Sequence, residues 1–337
     1  MSLDLLKKML KDGEKTHNIF LLFGEETLLK EFYFGKLKEF LKPDAMEELN
    51  IFSFSGKGYD LKAVDEAIES LPVFAENKLL IFTDSLTFKP DGRTGAGAEY
   101  ISYWEKRFKD IPENVYIIFY ENEIDKRSAL YKYVNKNQMA VELLYLSENE
   151  MISWTVSLFK KLGRQISALD AKYLVEITDS GMMAVKREAE KLAAYVGEER
   201  PITKKEIDEL VSPSVENKVF DMIDALIAKN ADAALLKLND LFLLKEDANK
   251  ILGAIIYNVD KLINTKLLLE KGADKNEIIL KLKIAPFQAG KYIRDCGKYK
   301  LAELSALLSK CTKTDSYIKS YSMDNNTLLE LLIFESI

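Results

Sequence analysis

One histidine and two cysteines in 337 residues leave little material for metal or thiol chemistry. His17 lies in the polar run from Lys11 to Asn18, and no second histidine exists to complete a His-rich metal site. Cys296 and Cys311 stand fifteen residues apart, a spacing of neither a CxxC zinc half-site nor a disulfide framework. Two free thiols in so long a chain fit a reducing compartment, so a cytoplasmic protein is expected. No apolar run approaches the ~20 residues of a membrane span; residues 251–257 are among the longest. The opening Met1-Ser-Leu-Asp-Leu-Leu-Lys-Lys has charges inside its apolar stretch and lacks a signal-peptide core.

What the chain does have is core material. Its 47% apolar content, with 17 Phe and 16 Tyr, excludes bulk disorder, and its length suits two or three domains. The net charge of −6 hides an asymmetry: residues 261–320 carry a balance of +7, and the remainder sums to −13. Such a surplus suits either a polyanion or an ordinary solvated helix face.

The first 145 residues alternate between two periods. Apolar runs of strand length fall at 19–23, 49–54, 79–83, 115–120 and 140–144. Helix-period segments occupy 26–41, 60–71, 98–108 and 126–135. Strands apolar on both faces, alternating with helices, predict a largely parallel sheet covered by helices. After residue 146 the strand pattern stops. Capping boxes at Ser147–Glu150 and Thr203–Glu206, an Ser167 start and a Gly163 stop mark short helices, and Ser212-Pro213-Ser214 reads as a boundary. Helices are expected at 215–229, 231–244, 247–270, 274–282, 287–296, 301–311 and 325–335, with 233–238 and 251–256 buried all round. The fold class is α/β plus all-α, divided at 1–145, 146–212 and 213–337.

Open α/β sheets bind ligands at strand C-termini, so the first βα turn, Gly24-Glu25-Glu26-Thr27-Leu28-Leu29-Lys30, is the natural place to seek a nucleotide site. It has one glycine, two carboxylates where phosphate would sit, and no Gly-Lys-Ser/Thr. It reads as an acidic helix start, complementary to the helix dipole and repellent to a nucleotide. The cluster Gly92-Arg-Thr-Gly-Ala-Gly97 follows Pro90 and no strand directly, so it reads as a loop. The pairs Glu25/Glu26, Glu47/Glu48 and Glu198/Glu199 read as solvated surface. Cys296, among Lys291, Arg294 and Lys298, reads as a packing cysteine in preference to an activated thiol. No catalytic residue, cofactor site or metal site is identified.

The amphipathic helix with Leu61, Val64, Ile68 and Leu71 on one face is stopped by Pro72, and Val73-Phe74-Ala75 precedes a polar turn, Glu76-Asn77-Lys78. Leu71, Pro72, Val73 and Phe74 either fold under the sheet as core or project as an apolar plug for a partner. The residues alone favour core, because exposed Phe beside Val is a liability.

Five blocks in order resemble the delta subunit of the bacterial DNA polymerase III clamp loader. They are Phe20-Leu-Leu-Phe-Gly-Glu25 with Leu28; Leu71-Pro-Val-Phe-Ala-Glu-Asn-Lys-Leu-Leu-Ile81; Lys186 to Gly197 with Pro201-Ile-Thr203; Val219-Phe-Asp-Met-Ile-Asp-Ala-Leu226; and Asp315-Ser-Tyr-Ile-Lys319. The resemblance implies an AAA+-like N-terminal domain without a working nucleotide site, a small helical lid-like domain and a C-terminal helical collar. It implies that Leu71, Pro72, Val73 and Phe74 insert into the ring-shaped sliding clamp, the beta subunit, and open it for loading onto primed DNA during replication. ATPase subunits and a delta-prime-like subunit are the other implied partners, within a DNA-directed DNA polymerase holoenzyme and with no membrane. Two alternatives remain open: an active P-loop-type nucleotide hydrolase, and a helical DNA-binding adaptor.

Overall fold

The computed structural model describes residues 3–89, 95–137, 139–178, 181–197, 200–320 and 324–336. The chain forms two compact units, Met1–Tyr145 and Leu146–Ile337.

The first unit runs α1 (Leu3–Asp12), β1 (Ile19–Phe23), α2 (Thr27–Leu41), α3 (Glu47–Asn50), β2 (Ile51–Ser55), α4 (Leu61–Glu69), β3 (Lys78–Thr83), α5 (Gly95–Arg107), β4 (Val115–Tyr120), α6 (Ala129–Lys136) and β5 (Ala140–Glu142). Its five strands lie in the order β2-β3-β4-β1-β5, and every pairing is parallel. The two-residue period of a strand splits β1 between two cores. Phe20 and Leu22 pack with Leu6 and Met9 of α1 and with Tyr33, Leu37 and Leu41 of α2. Ile19, Leu21 and Phe23 pack with Val64 and Ile68 of α4, Trp104 of α5 and Phe108 just beyond it, and Leu130 and Val134 of α6. All five strand runs expected from the sequence are present. The run at 49–54 begins later, because Leu49 and Asn50 close the single turn α3. Helix α1 was not anticipated.

Neighbouring strands β1 and β4 send the chain to opposite faces, β1 into α2 and β4 into α6. Their C-terminal ends therefore flank the crevice where open α/β sheets take ligands.

The second unit is helical: α7 (Glu148–Lys161), α8 (Ala168–Ile177), α9 (Met182–Tyr195), α10 (Lys204–Leu210), α11 (Val215–Ile227), α12 (Ala231–Leu243), α13 (Ala248–Glu270), α14 (Lys275–Leu282), α15 (Pro286–Asp295), α16 (Leu301–Ser320) and α17 (Asn325–Ser336). The caps are where the sequence puts them. Ser147 and Thr203 form capping boxes with Glu150 and Glu206. Ser167 accepts from Asp170 N, and Gly163 ends α7 with φ +71°. Next to Pro213, Ser214 N and Asn217 Nδ2 both donate to the Ile177 carbonyl, at 3.0 and 3.1 Å, tying the start of α11 to the end of α8. Two expectations need correction. Helix α16 continues to Ser320, since nothing after residue 311 breaks its pattern. The 233–238 stretch is buried on one face only: Ala234 and Leu238 are in the core, whereas Leu236 is exposed.

Among the described residues no helix is long and apolar enough to cross a membrane, and no group of three His, Cys, Asp or Glu side chains could hold a metal ion. Both cysteines are buried and free. Burial raises the Cys296 thiol and pushes Cys311 up to about 12, so the basic neighbours of Cys296 do not activate it.

Candidate docking site

Helix α4 starts at Asp60, whose carboxylate accepts from Lys62 N, and its apolar face buries Val64, Ala67 and Ile68. It stops at Glu69, earlier than the sequence suggested, and Leu71 is not part of its buried face. The cause is Lys78. This lysine is 1% exposed, and its ammonium reaches back across the chain reversal to the end of α4. It donates to the carbonyls of Ala67, Ile68 and Ser70, which the helix leaves without partners. A cation at this end also complements the helix dipole. Burial lowers the Lys78 pKa, with the nearby Glu69 carboxylate opposing it. The outer flank of α4 is braced by Arg107 of α5, which pairs with Asp65 and Glu69 at 2.6 Å each.

Between Ser70 and Lys78 the chain projects from the unit. Leu71 is 82% and Phe74 84% exposed, and Val73 is also exposed, so the core alternative for these residues does not hold. The segment is nevertheless firmly held. Asn50, with no solvent exposure, accepts from Val73 N at 2.7 Å and donates to Val73 O at 2.9 Å. The same amide donates to the carbonyls of Ala45 and Met46, at 3.2 and 3.1 Å. Asn77, also buried, donates to Leu41 O at 2.8 Å, and Glu76 N donates to Asp44 Oδ1 at 3.0 Å. Phe74 sits in the left-handed region with φ +52°. The result is an apolar tip whose backbone is hydrogen-bonded from beneath at Val73 and Glu76.

The turn Glu76-Asn77-Lys78 is therefore not a merely polar surface turn: two of its three side chains are buried and hold the tip. Asn50 was missed as well. The available signal was a polar residue embedded among apolar ones, Asn50 before the β2 run and Lys78 at the head of the β3 run. Buried polar groups of that kind need partners, and the tip's backbone provides them.

The crevice between β1 and β4 is filled by the protein itself. On the far side of β1, Gly24 (φ +123°) passes so close to the chain leaving β5 that a Cβ there would strike the Leu143 carbonyl. Lys30, 1% exposed, points its ammonium at the carbonyls of Gly24 and Glu121, each at 3.4 Å, and at Asn122 Oδ1. Burial lowers its pKa, against the pull of Asp84 and Glu25. Glu26 is buried, not solvated as its pairing with Glu25 suggested; Glu25, Glu47 and Glu48 are exposed. Behind Lys30, the buried Glu121 carboxylate accepts from Ser85 N at 3.2 Å, Leu86 N at 3.1 Å and Ser85 Oγ. A chain of hydroxyls continues inward from Ser85 to Thr87, Tyr59 and Trp104 Nε1. A phosphate cradle presents N–H groups to an anion. Here two strand-end carbonyls converge on an internal cation. Residues 90–94 of the Gly-rich stretch, and Glu198/Glu199, lie outside the described residues, and Gly95 to Gly97, read as loop in the sequence, form the start of α5.

Several basic residues of 261–320 have partners within the helical unit, although the acids among them lie in the same stretch and leave its +7 balance unchanged. Lys281, Lys298 and Lys319 pair with Glu277, Asp295 and Asp315, while Lys261 and Lys266 donate to the carbonyls of Leu282 and Cys296.

These features define a class: an open parallel α/β unit of nucleotide-binding type whose crevice is filled by its own lysine, with a projecting apolar tip, followed by a helical unit. The comparisons with known proteins agree. A family model described as DNA polymerase III, delta subunit, matches residues 20–144. One for the DNA polymerase III delta subunit, C-terminal domain, matches residues 216–336. The DNA polymerase III subunit delta of Bacillus subtilis (strain 168) is 23% identical over 330 residues, covering 97% of this chain and 95% of the relative. The probable DNA polymerase III subunit delta of Aquifex aeolicus (strain VF5) is 24% identical over 330 residues, covering 92% and 89%. In fold the chain is similar to the solved Bacillus subtilis DNA clamp loader delta protein, with TM-score 0.66 at 22% identity over 99% of this chain and 98% of that one. The chain belongs to the DNA polymerase III delta subunit family.

Proposed function

We propose that this delta subunit works as the clamp-opening component of a clamp loader. Its tip, Leu71, Pro72, Val73 and Phe74, enters an apolar pocket on the ring-shaped sliding clamp and favours the open ring, so that the ring can be loaded onto primed DNA. The observation that carries this reading is the pair Leu71 and Phe74, more than four-fifths exposed on a backbone held by Asn50, Asn77 and Lys78.

Full burial of Leu71 and Phe74 is worth about 1.5–3 kcal/mol each. Association costs ~4–15 kcal/mol, so the tip is an anchor that needs further contacts around it. Preformation lowers that cost, because no loop has to be ordered on binding. Opening the ring requires tighter binding to the open state than to the closed one; equal affinity for both would shift nothing.

The filled crevice supports leaving ATP chemistry to ATPase partner subunits, and it weighs against the nucleotide-hydrolase alternative. Within the helical unit, residues 146–212 would serve as the lid-like part and 213–337 as the collar that meets the ATPase and delta-prime-like subunits. The work would be done in the cytoplasm.

The test is a titration of the purified chain with the sliding clamp of the same organism, read by size-exclusion chromatography with light scattering. A complex of the chain with the ring is expected. Failure to form one at tens of micromolar would overturn the proposal.

A further inference from the structure

The tip is not the only exposed apolar element at its end of the α/β unit. Met46 and Leu49, on the loop that leads through α3, are each 54% exposed. They belong to the same small construction. One nitrogen, Asn50 Nδ2, donates to the carbonyls of Ala45, Met46 and Val73, which joins the 44–49 loop to the tip. A second tie runs from Glu76 N to Asp44 Oδ1 at 3.0 Å.

Backbone conformation separates these residues from the rest of the surface. Met46 has φ +48° and Phe74 φ +52°. They are the only described residues that combine a left-handed backbone with a large exposed apolar side chain. Glycine or asparagine suits that conformation, and a bulky residue there costs about 1–2 kcal/mol. Neither side chain repays that cost by packing into the core. Strain of this kind, kept where folding does not need it, points to use at the surface.

The charges around the patch have one sign. Asp44, Glu47, Glu48, Glu69 and Glu76 lie within 44–49 and 69–76, and neither segment has a Lys or Arg. Lys42 pairs with Glu47, and Arg107 with Glu69. Glu48 and Glu76 are exposed and face solvent.

We propose that Met46 and Leu49 form the second apolar row of one composite docking surface, coupled to the tip through Asn50, and that the clamp's pocket extends to receive this row and is rimmed there by Lys or Arg. The inference rests on the reading of residues 71–74 as the clamp-docking element. It supplies the additional contacts that the tip alone lacks, and the acidic rim steers the encounter and fixes register.

The experiment compares the full chain with the Met46→Gly/Leu49→Ser double variant, with Phe74→Ala and with Glu48→Lys/Glu76→Lys, each titrated with the purified clamp and each melted. Met46→Gly relieves the left-handed strain, so the double variant should melt at or above the wild-type temperature while losing about 5- to 30-fold in affinity. Charge reversal should slow association and reverse its salt dependence. Wild-type affinity in the double variant, with Phe74→Ala weakened, would overturn the composite surface and leave the tip reading standing. Wild-type affinity in both would remove the tip reading and this inference with it. An affinity loss confined to the double variant would equally contradict a surface shared with the tip.

Discussion

Asn50 and Val73, twenty-three residues apart, exchange two hydrogen bonds: Val73 N donates to Asn50 Oδ1 at 2.7 Å, and Asn50 Nδ2 donates to Val73 O at 2.9 Å. A side-chain amide thus stands in for a neighbouring strand, satisfying the backbone of a tip that would otherwise have no partner on its inner side. With Lys78 closing α4 and Asn77 holding Leu41 O, the tip's shape is set before any partner arrives.

Removing that amide should damage both stability and docking. Asn50→Ala leaves the Val73 N–H and carbonyl unpaired, at a cost of about 1–3 kcal/mol. Asn50→Asp should be worse near neutral pH, since its carboxylate would face the carbonyls of Ala45, Met46 and Val73 with no hydrogen to offer. Urea unfolding should rank wild type above Ala and Ala above Asp, and clamp affinity should follow the same order. An Asp variant as stable as wild type would show that the amide's donor role is dispensable.

Lys78→Met keeps much of the side chain's length and removes the ammonium. The carbonyls of Ala67, Ile68 and Ser70 then lack their cap, and the last turn of α4 should fray. Hydrogen exchange of the Ile68 and Ser70 amides should accelerate by about tenfold or more, with β3 amides little changed. Unchanged protection in α4 would contradict the capping role.

How much of this was legible beforehand follows from what each signal depends on. The strands at 19–23 and 115–120 and the caps at Ser147, Ser167 and Thr203 were readable because period and cap chemistry are local. The exposure of Leu71 and Phe74 was implied by the family resemblance and not by their own chemistry: burial of an apolar segment depends on what lies beneath it, and here that is Asn50 and Lys78, distant or across a turn. The crevice was half legible. The missing Gly-Lys-Ser/Thr was plain in the sequence. Lys30 as the group that fills the space was not, since its partners Glu121 and Asn122 come ninety residues later.

Glu121 gives the α/β unit a pH dependence of known sign. Burial raises its pKa to about 7, only partly offset by the Ser85 and Leu86 donors, with Asp84 adding to the rise. The folded chain holds the proton more tightly than the unfolded chain, so this contribution to stability is full below the unfolded pKa of ~4.3 and is lost as pH rises through about 7. Its size is on the order of 3 kcal/mol. Unfolding followed by Trp104 fluorescence in a Trp154→Phe background should show stability falling from pH 5 to pH 8, and Glu121→Gln should flatten that slope. A slope that survives in the Gln variant would place its origin elsewhere.

The filled crevice predicts silence toward nucleotide. Calorimetric titration of the purified chain with ATP and Mg²⁺ should give no binding heat. Saturable binding in the micromolar range would contradict an internally occupied site.

The most direct test of the account is Phe74→Ala. The side chain is 84% exposed, so its removal should leave the melting temperature of the chain unchanged. Affinity for the sliding clamp should fall by about tenfold or more. An unaltered affinity in a variant that folds normally would contradict the account.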